Sequence, residues 1–328
     1  LALAIGIAVS AILMVLAFHG VSGLAVREAL AAADLRLIAP FLVALFLYYW
    51  VKTVRWVDLL SPIARTAATA MFPPVMIGYA GSALLPLQLG ELARAYIAAQ
   101  RLNAPGMSVL MSIALERVFD LLSILLLLGI ALALGEKLPP VLVSAGYAIA
   151  ALALVAIGFV LVYVYRTEAM LAFTSRMVRI LPARVAQLVL RQVQAGVSGL
   201  HALREPRLLV RVLCTSLLQW LFMWLCVWLS LIALGIDATA LATFVVLVLM
   251  IIGISLPNSP GYVGSIQLAY VLGLKPLGID PALAIAASVF FHVLAYLSVV
   301  LAGLFCLQRL GIGLSGLRTA WRNPAGGL

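Results

Sequence analysis

GYAGSALLPLQLGELARAYIAAQRLNAPGMSVLMSIALERVFD, residues 78–120, sets three of the chain's eleven acidic residues among long apolar runs. Its first part is an apolar segment punctuated by Gly78, Gly81, Pro86 and Gly90. Glu91 and Arg94 follow at once, and Glu116, Arg117 and Asp120 open a second, longer apolar helix. Ionisable groups at membrane depth cost about 2.5–3.5 kcal/mol each on insertion scales, so they face a cavity or pair with one another. Five such groups in one stretch point to a chain that handles something polar inside a bilayer.

The rest of the chain makes the bilayer explicit. Of its 328 residues, 66% are hydrophobic and 10% charged, with a mean hydropathy of +1.21. A soluble domain of this length does not carry so much apolar surface, so the fold class is an all-α polytopic membrane protein. The runs are continuous rather than alternating, which excludes a transmembrane barrel. The formal charge of +10 is read by position, as loops facing anionic head groups, and not as a nucleic-acid signal. Cys214, Cys226 and Cys306 lie in apolar runs without metal-ligand spacing, so neither a disulfide framework nor a zinc site is indicated.

Spans long enough to cross a core of about 30 Å are expected near 1–18, 37–56, 107–134, 139–165, 208–234, 239–257 and 281–307. The first reads as a helix whose cytoplasmic start precedes Leu1. Two further segments, 72–90 and 256–275, are interrupted by Pro and Gly and read as broken or re-entrant, because Pro removes a backbone donor and Gly weakens a helix. Segments 52–106 and 166–211 carry most of the Lys and Arg and belong in the cytoplasm. With seven spans, Arg309, Arg318 and Arg322 after the last one would lie outside, against that rule. The residues form one membrane domain, 1–328. It divides into repeats 1–134 and 208–307, joined by helix 139–165 and a cytoplasmic amphipathic segment 166–207.

Glu91 and Arg94 are i,i+3 neighbours at the start of a helix running to about Arg101. Glu116 and Asp120, at i,i+4, share a face, and Arg117 sits about 100° round. Two carboxylates on one face need a shared cation or proton. This cluster is either an ion-pair knot or the polar wall of a ligand site, and both can hold. In the second broken segment Asn258, Ser259 and Gly261 form a turn with free backbone amides, followed by Gln267. That turn either cradles a phosphate or hydroxyl, or is a plain hairpin tip. His292 and the Trp220, Trp224, Trp228 stripe read as packing. GxSxG, P-loop, HExxH and DxD signatures are absent, so the chain is expected to be no enzyme and to need no cofactor or metal.

At LPLQLGELARAYI, ALERVFDLLSILLLL and LPNSPGYVGSIQLAYVLGL the chain resembles the flippase-like membrane domain of lysylphosphatidylglycerol synthases, also found in stand-alone proteins of the YbhN type. That family's pattern is LPxRxGExxRxxx, then ERxxD, then PxSPGGxGxxE. Shared positions are Pro86, Gly90, Glu91, Arg94, Glu116, Arg117, Asp120, Pro257, Ser259, Pro260, Gly261 and Gly264. Gln88 stands in place of Arg, Tyr262 of the second Gly and Gln267 of Glu. The paired loss of a cation and an anion implies a compensated pair or an altered head-group preference. The soluble aminoacyl-transfer domain has no counterpart, so lysine transfer is not expected.

The expected function is therefore lipid transport between leaflets of a bacterial inner membrane, passive or proton-coupled. The cargo would be an aminoacylated or anionic phospholipid, or a polyprenyl-phosphate carrier. The substrate-binding residues would be Glu91, Arg94, Glu116, Arg117, Asp120, Asn258, Ser259, Gly261 and Gln267. Partners would be anionic membrane lipids, and a second copy or a partner enzyme, with no nucleic acid. The alternatives are a membrane enzyme acting on a lipid-linked sugar, and a non-transporting docking subunit.

Overall fold

The computed structural model describes residues 2–85, 89–133, 205–255 and 260–311, with isolated positions between 147 and 190. Expected span 139–165, segment 166–207 as far as Arg204, Asn258 and Ser259 therefore lie outside the described residues, isolated positions apart. No strand occurs among the described residues. The helices are α1 (Ala2–Phe18), α2 (Gly23–Ala31), α3 (Ile38–Leu60), α4 (Ala68–Leu84), α5 (Gly90–Leu102), α6 (Gly106–Ala133), α7 (Pro206–Ala233), α8 (Ala240–Ser255), α9 (Ser265–Leu274) and α10 (Pro281–Arg309).

Among the described residues, three stretches are long and apolar enough to cross a membrane: Leu35–Leu60, Pro206–Ala233 and Pro281–Arg309. The pair α1 and α2, bent by 79°, makes a fourth if taken as one span. The burial pattern is that of a membrane protein. Val293, Leu297, Leu301 and Leu304 stand exposed along one face of α10, whereas Lys52, Arg55, Arg94 and Glu116 are buried.

One expectation needs correction. Residues 239–257 form no full span: α8 has 16 residues, about 24 Å at 1.5 Å per residue, and turns back through α9. Gly253 meets Ser265 and Gly273 meets Val246, so the two run antiparallel. Segment 72–90 is broken as expected, between α4 and α5, while α4 itself is helical straight through Pro73 and Pro74. Pro74 cannot donate to the Ala70 carbonyl four residues back. The Arg101 guanidinium of α5 donates to that oxygen instead, at 2.8 Å.

The break in the first segment falls later, beyond Leu84, and α4 and α5 form a second antiparallel hairpin. Gly78 faces Arg94, and Gly90 lies directly against α4. A Cβ on Gly90 would land on the Gly78 carbonyl and the Ser82 amide. At the far end of α5 Asn103 adopts the left-handed conformation (φ 48°), and Ala104 N–H closes onto Ala99 O at 3.0 Å.

The hairpins enter from opposite ends of a central pair. Helices α3 and α7 are antiparallel: Phe41 meets Cys226, and Arg55 meets Ser216. Hairpin α4–α5 starts from the C-terminal end of α3, and hairpin α8–α9 from the C-terminal end of α7. Their tips converge, with the Tyr262 hydroxyl 3.5 Å from the Ser82 carbonyl. Helix α10 closes the arrangement, packing on α4 and α9. Gly303 there presses against Met76 and Ala80. The largest apolar core, which includes Phe41, Val246, Tyr270, Ile285 and Phe291, lies between α3, α7, α8, α9 and α10.

Candidate functional site

Helix α3 carries Tyr48, Lys52, Arg55 and Leu59 at i, i+4, i+7 and i+11, one face turned inward. The continuation to Leu60 decides this. A span ending at residue 56 leaves Lys52 and Arg55 near a loop, and the sequence reading assigned them to a cytoplasmic segment. In the fold they are 2% and 0% exposed. Neither is among the site residues expected from the sequence, and the helical register with Tyr48 and Trp56 is the signal that could find them.

Facing them, α6 presents Glu116 and Asp120 on one side, as their spacing requires. Arg55 donates to Asp120 Oδ1 at 2.7 Å, to Glu116 Oε1 at 3.0 Å and to Ser216 Oγ at 3.0 Å. Arg94, from α5, donates to Glu116 Oε2 at 2.8 Å, and its guanidinium lies 3.8 Å from the Trp56 ring centre. Gln219 of α7 donates to Asp120 Oδ1 at 2.6 Å. The sequence reading's Arg94 and Glu116 thus form a closed inner layer with Arg55. Each carboxylate oxygen of Glu116 has a guanidinium within hydrogen-bonding distance, the arrangement that makes a buried ion pair tolerable.

A second layer faces open space. Arg117 donates to Glu91 Oε1 at 2.7 Å and lies 3.6 Å from Asp120 Oδ2. Lys52 Nζ stands 3.7 Å from both Glu116 Oε1 and Asp120 Oδ2, beyond hydrogen-bonding distance, and near the rings of Tyr48 and Tyr79. Lys52, Glu91, Arg117 and Asp120 all line a cavity of about 250 Å³. Its other walls include Tyr79 and Ser82 from the first hairpin, Gly261 and Tyr262 from the second, Trp220 and Met223 from α7, and His292 and Tyr296 from α10. The cavity therefore sits between the two hairpin tips.

Gln267 is placed elsewhere. Its side-chain oxygen accepts from Gly264 N–H at 2.8 Å and its amide nitrogen lies 3.1 Å from His292 Nδ1, so both ends are engaged in holding the turn. It does not line the cavity, whereas Gly261 does.

The charge balance sets the chemistry. Lys52, Arg55, Arg94 and Arg117 stand against Glu91, Glu116 and Asp120, one positive charge in excess. Ser82 Oγ and Trp220 Nε1, buried atoms of two residues that line the cavity, have no hydrogen-bond partner. The net positive charge around the cavity suits an anion. No three His, Cys, Asp or Glu side chains converge among the described residues, and Glu116 and Asp120 are already committed to cations.

Compared with known proteins, the sequence matches the family described as Lysylphosphatidylglycerol synthase TM region over residues 3–303. Glycosyltransferase AglD of Haloferax volcanii is 28% identical over 328 aligned residues, covering 88% of this chain and 51% of that protein. The chain thus spans about half the length of this curated relative. No solved structure matches.

Proposed function

Because the chain belongs to the lysylphosphatidylglycerol synthase transmembrane-region family, we propose that it moves a phosphate-bearing lipid between leaflets. The cargo is an aminoacylated or anionic phospholipid or a polyprenyl-phosphate carrier. The observation that carries this reading is the cavity between the hairpin tips, lined by Lys52 and Arg117 together with Ser82, Trp220 and Tyr262. The head group enters there while the acyl or prenyl tails stay in lipid. Lys52 exchanges its two 3.7 Å contacts for a phosphate oxygen, and the inner layer of Arg55, Glu116 and Arg94 holds the wall in place. Movement is passive or coupled to a proton, which Glu91, on the cavity, is placed to take.

The hairpins then re-enter the membrane from opposite faces, as paired halves 1–134 and 208–307 of an inverted repeat. With α8 an arm of the second hairpin rather than a crossing, one span drops from the count. The tail after Arg309 falls on the same side as Arg65 and Arg101. This reading agrees with the positive-inside rule if 139–165 crosses as expected, with all three on the cytoplasmic side.

The test is reconstitution into liposomes with fluorescent phosphatidylglycerol, reading leaflet exchange by quenching from outside. Lys52→Ala is expected to slow exchange by at least about tenfold, the equivalent of about 1.4 kcal/mol, with an unchanged elution profile. Wild-type rates in both Lys52→Ala and Arg117→Ala would overturn the assignment. A second reading, a membrane enzyme acting on a lipid-linked sugar, is favoured by the name of the Haloferax relative. Product formed from a lipid-linked sugar donor by the purified chain would replace the first reading with this one.

A further inference from the structure

Tyr262 occupies backbone space that an aromatic residue rarely enters. Its φ is 58°, between Gly261 at 83° and Gly264 at 90°. Such a conformation is strained for a residue with a side chain and persists only where its surroundings over-determine it. The surroundings here are identifiable. Gly264 N–H donates to the Gln267 side-chain oxygen at 2.8 Å, which orients the amide so that its nitrogen donates to His292 Nδ1 at 3.1 Å. The turn is thereby tied to α10, and Tyr262 is held inside the tied loop.

The consequence is where the ring goes. Tyr262 lines the cavity, and its hydroxyl lies 3.5 Å from the Ser82 carbonyl on the opposite tip. The sequence denies that carbonyl the usual helical donor. The residue four positions on is Pro86, which has no N–H to give. The contact sits at the limit of hydrogen bonding, so an incoming group can displace it readily. The buried Ser82 Oγ beside it is without a partner.

We infer that Tyr262 is a specificity-determining residue: its ring bridges the two hairpin tips and limits the size of the head group that reaches Lys52 and Arg117. This deepens the transport reading and rests on that cavity being the ligand site. A bulky head group would have to swing the ring away from a turn that Gln267 and His292 hold shut. A small phosphodiester need only replace the Ser82 carbonyl as the hydroxyl's acceptor.

The experiment reads access to the cavity directly, without relying on lipid movement. Cys214, Cys226 and Cys306 are replaced, and Met223, on the cavity wall, becomes the single reporter through Met223→Cys. Labelling rates are compared for N-ethylmaleimide and for fluorescein maleimide, in the full chain in nanodiscs. With Tyr262 in place the small reagent is expected to react at least about tenfold faster than the large one, relative to a free thiol, as gating requires. Tyr262→Gly should bring the two within about threefold, while Tyr262→Phe, which keeps the ring, should leave the gap intact. Tyr262→Asn, suited to the left-handed region, serves where the glycine variant does not fold. An unchanged ratio in the glycine or asparagine variant overturns the inference. Failure of the wild-type chain to move lipid would instead sink the transport reading and leave the labelling result standing.

Discussion

Glu116 is where one atom-level exchange has the largest consequence. Its two oxygens hold Arg55 and Arg94 at 3.0 and 2.8 Å, and all three side chains are essentially unexposed. Glu116→Gln leaves two buried guanidinium groups short of a counter-charge, so a loss of about 3–5 kcal/mol is expected. It should register as a fall in melting temperature of the detergent-solubilised protein, along with any loss of transport. Lys52→Ala should differ: Lys52 makes no short ion pair, so its melting temperature should stay near wild type while exchange slows. If the two variants lost stability equally, the division into an inner holding layer and an outer binding layer would fail. The acidic half of this cluster was legible in the sequence, because i,i+4 carboxylates in an apolar run have few meanings. Of the basic half, Arg94 and Arg117 were legible with it, and Lys52 and Arg55 were not. Lys52 and Arg55 sit within nine residues of the end of α3, where position alone reads as an interfacial loop, and only the inward register with Tyr48 distinguishes the two cases.

At the scale of helices, the hairpins depend on close approach. Gly90→Ala places a Cβ against the Gly78 carbonyl and Ser82 amide, and backbone cannot yield as a side-chain end does. The variant is expected to splay α5 from α4, move Glu91 and Arg94 off their partners, and raise proteolysis near residues 85–89 in membranes. Protection equal to wild type would show that the crossing tolerates a methyl group. Composition marked both hairpins, through the Gly and Pro at 78–90 and 256–264. It misplaced their limits, because an apolar arm of 16 residues and an apolar span differ in length by only a turn or so. What turns α8 back is its antiparallel fit against α9, made by Gly253 and Gly273, residues that composition alone reads as helix weakeners.

Over the whole molecule, opposite entry of the two hairpins fixes which loops share a side. Arg65, beyond α3, and Asp237, beyond α7, belong to opposite faces. In intact cells a membrane-impermeant maleimide should label Asp237→Cys, in a chain with its own cysteines replaced. It should label Arg65→Cys only after the membrane is opened. Labelling of both from outside would rule out the inverted arrangement. The sequence alone left this parity open, since counting apolar runs weighs a hairpin arm and a crossing alike. Antiparallel pairing of α3 with α7, through Phe41, Arg55 and their partners, sets the two hairpin entries at opposite ends of that pair.

The bond from Arg101 to the Ala70 carbonyl has a bearing on how the chain is made. Two consecutive prolines leave α4 with a gap in its backbone ladder, and the group that fills it is translated 27 residues after the second of them. Until Arg101 arrives, the half-exposed Ala70 carbonyl at the start of α4 depends on water, so α4 is expected to settle fully only once α5 lies beside it. Pro74 and Arg101 then amount to a single inherited trait. Arg101→Ala should impair insertion in this chain, and Pro74→Ala, by restoring the missing donor, should make the same arginine dispensable.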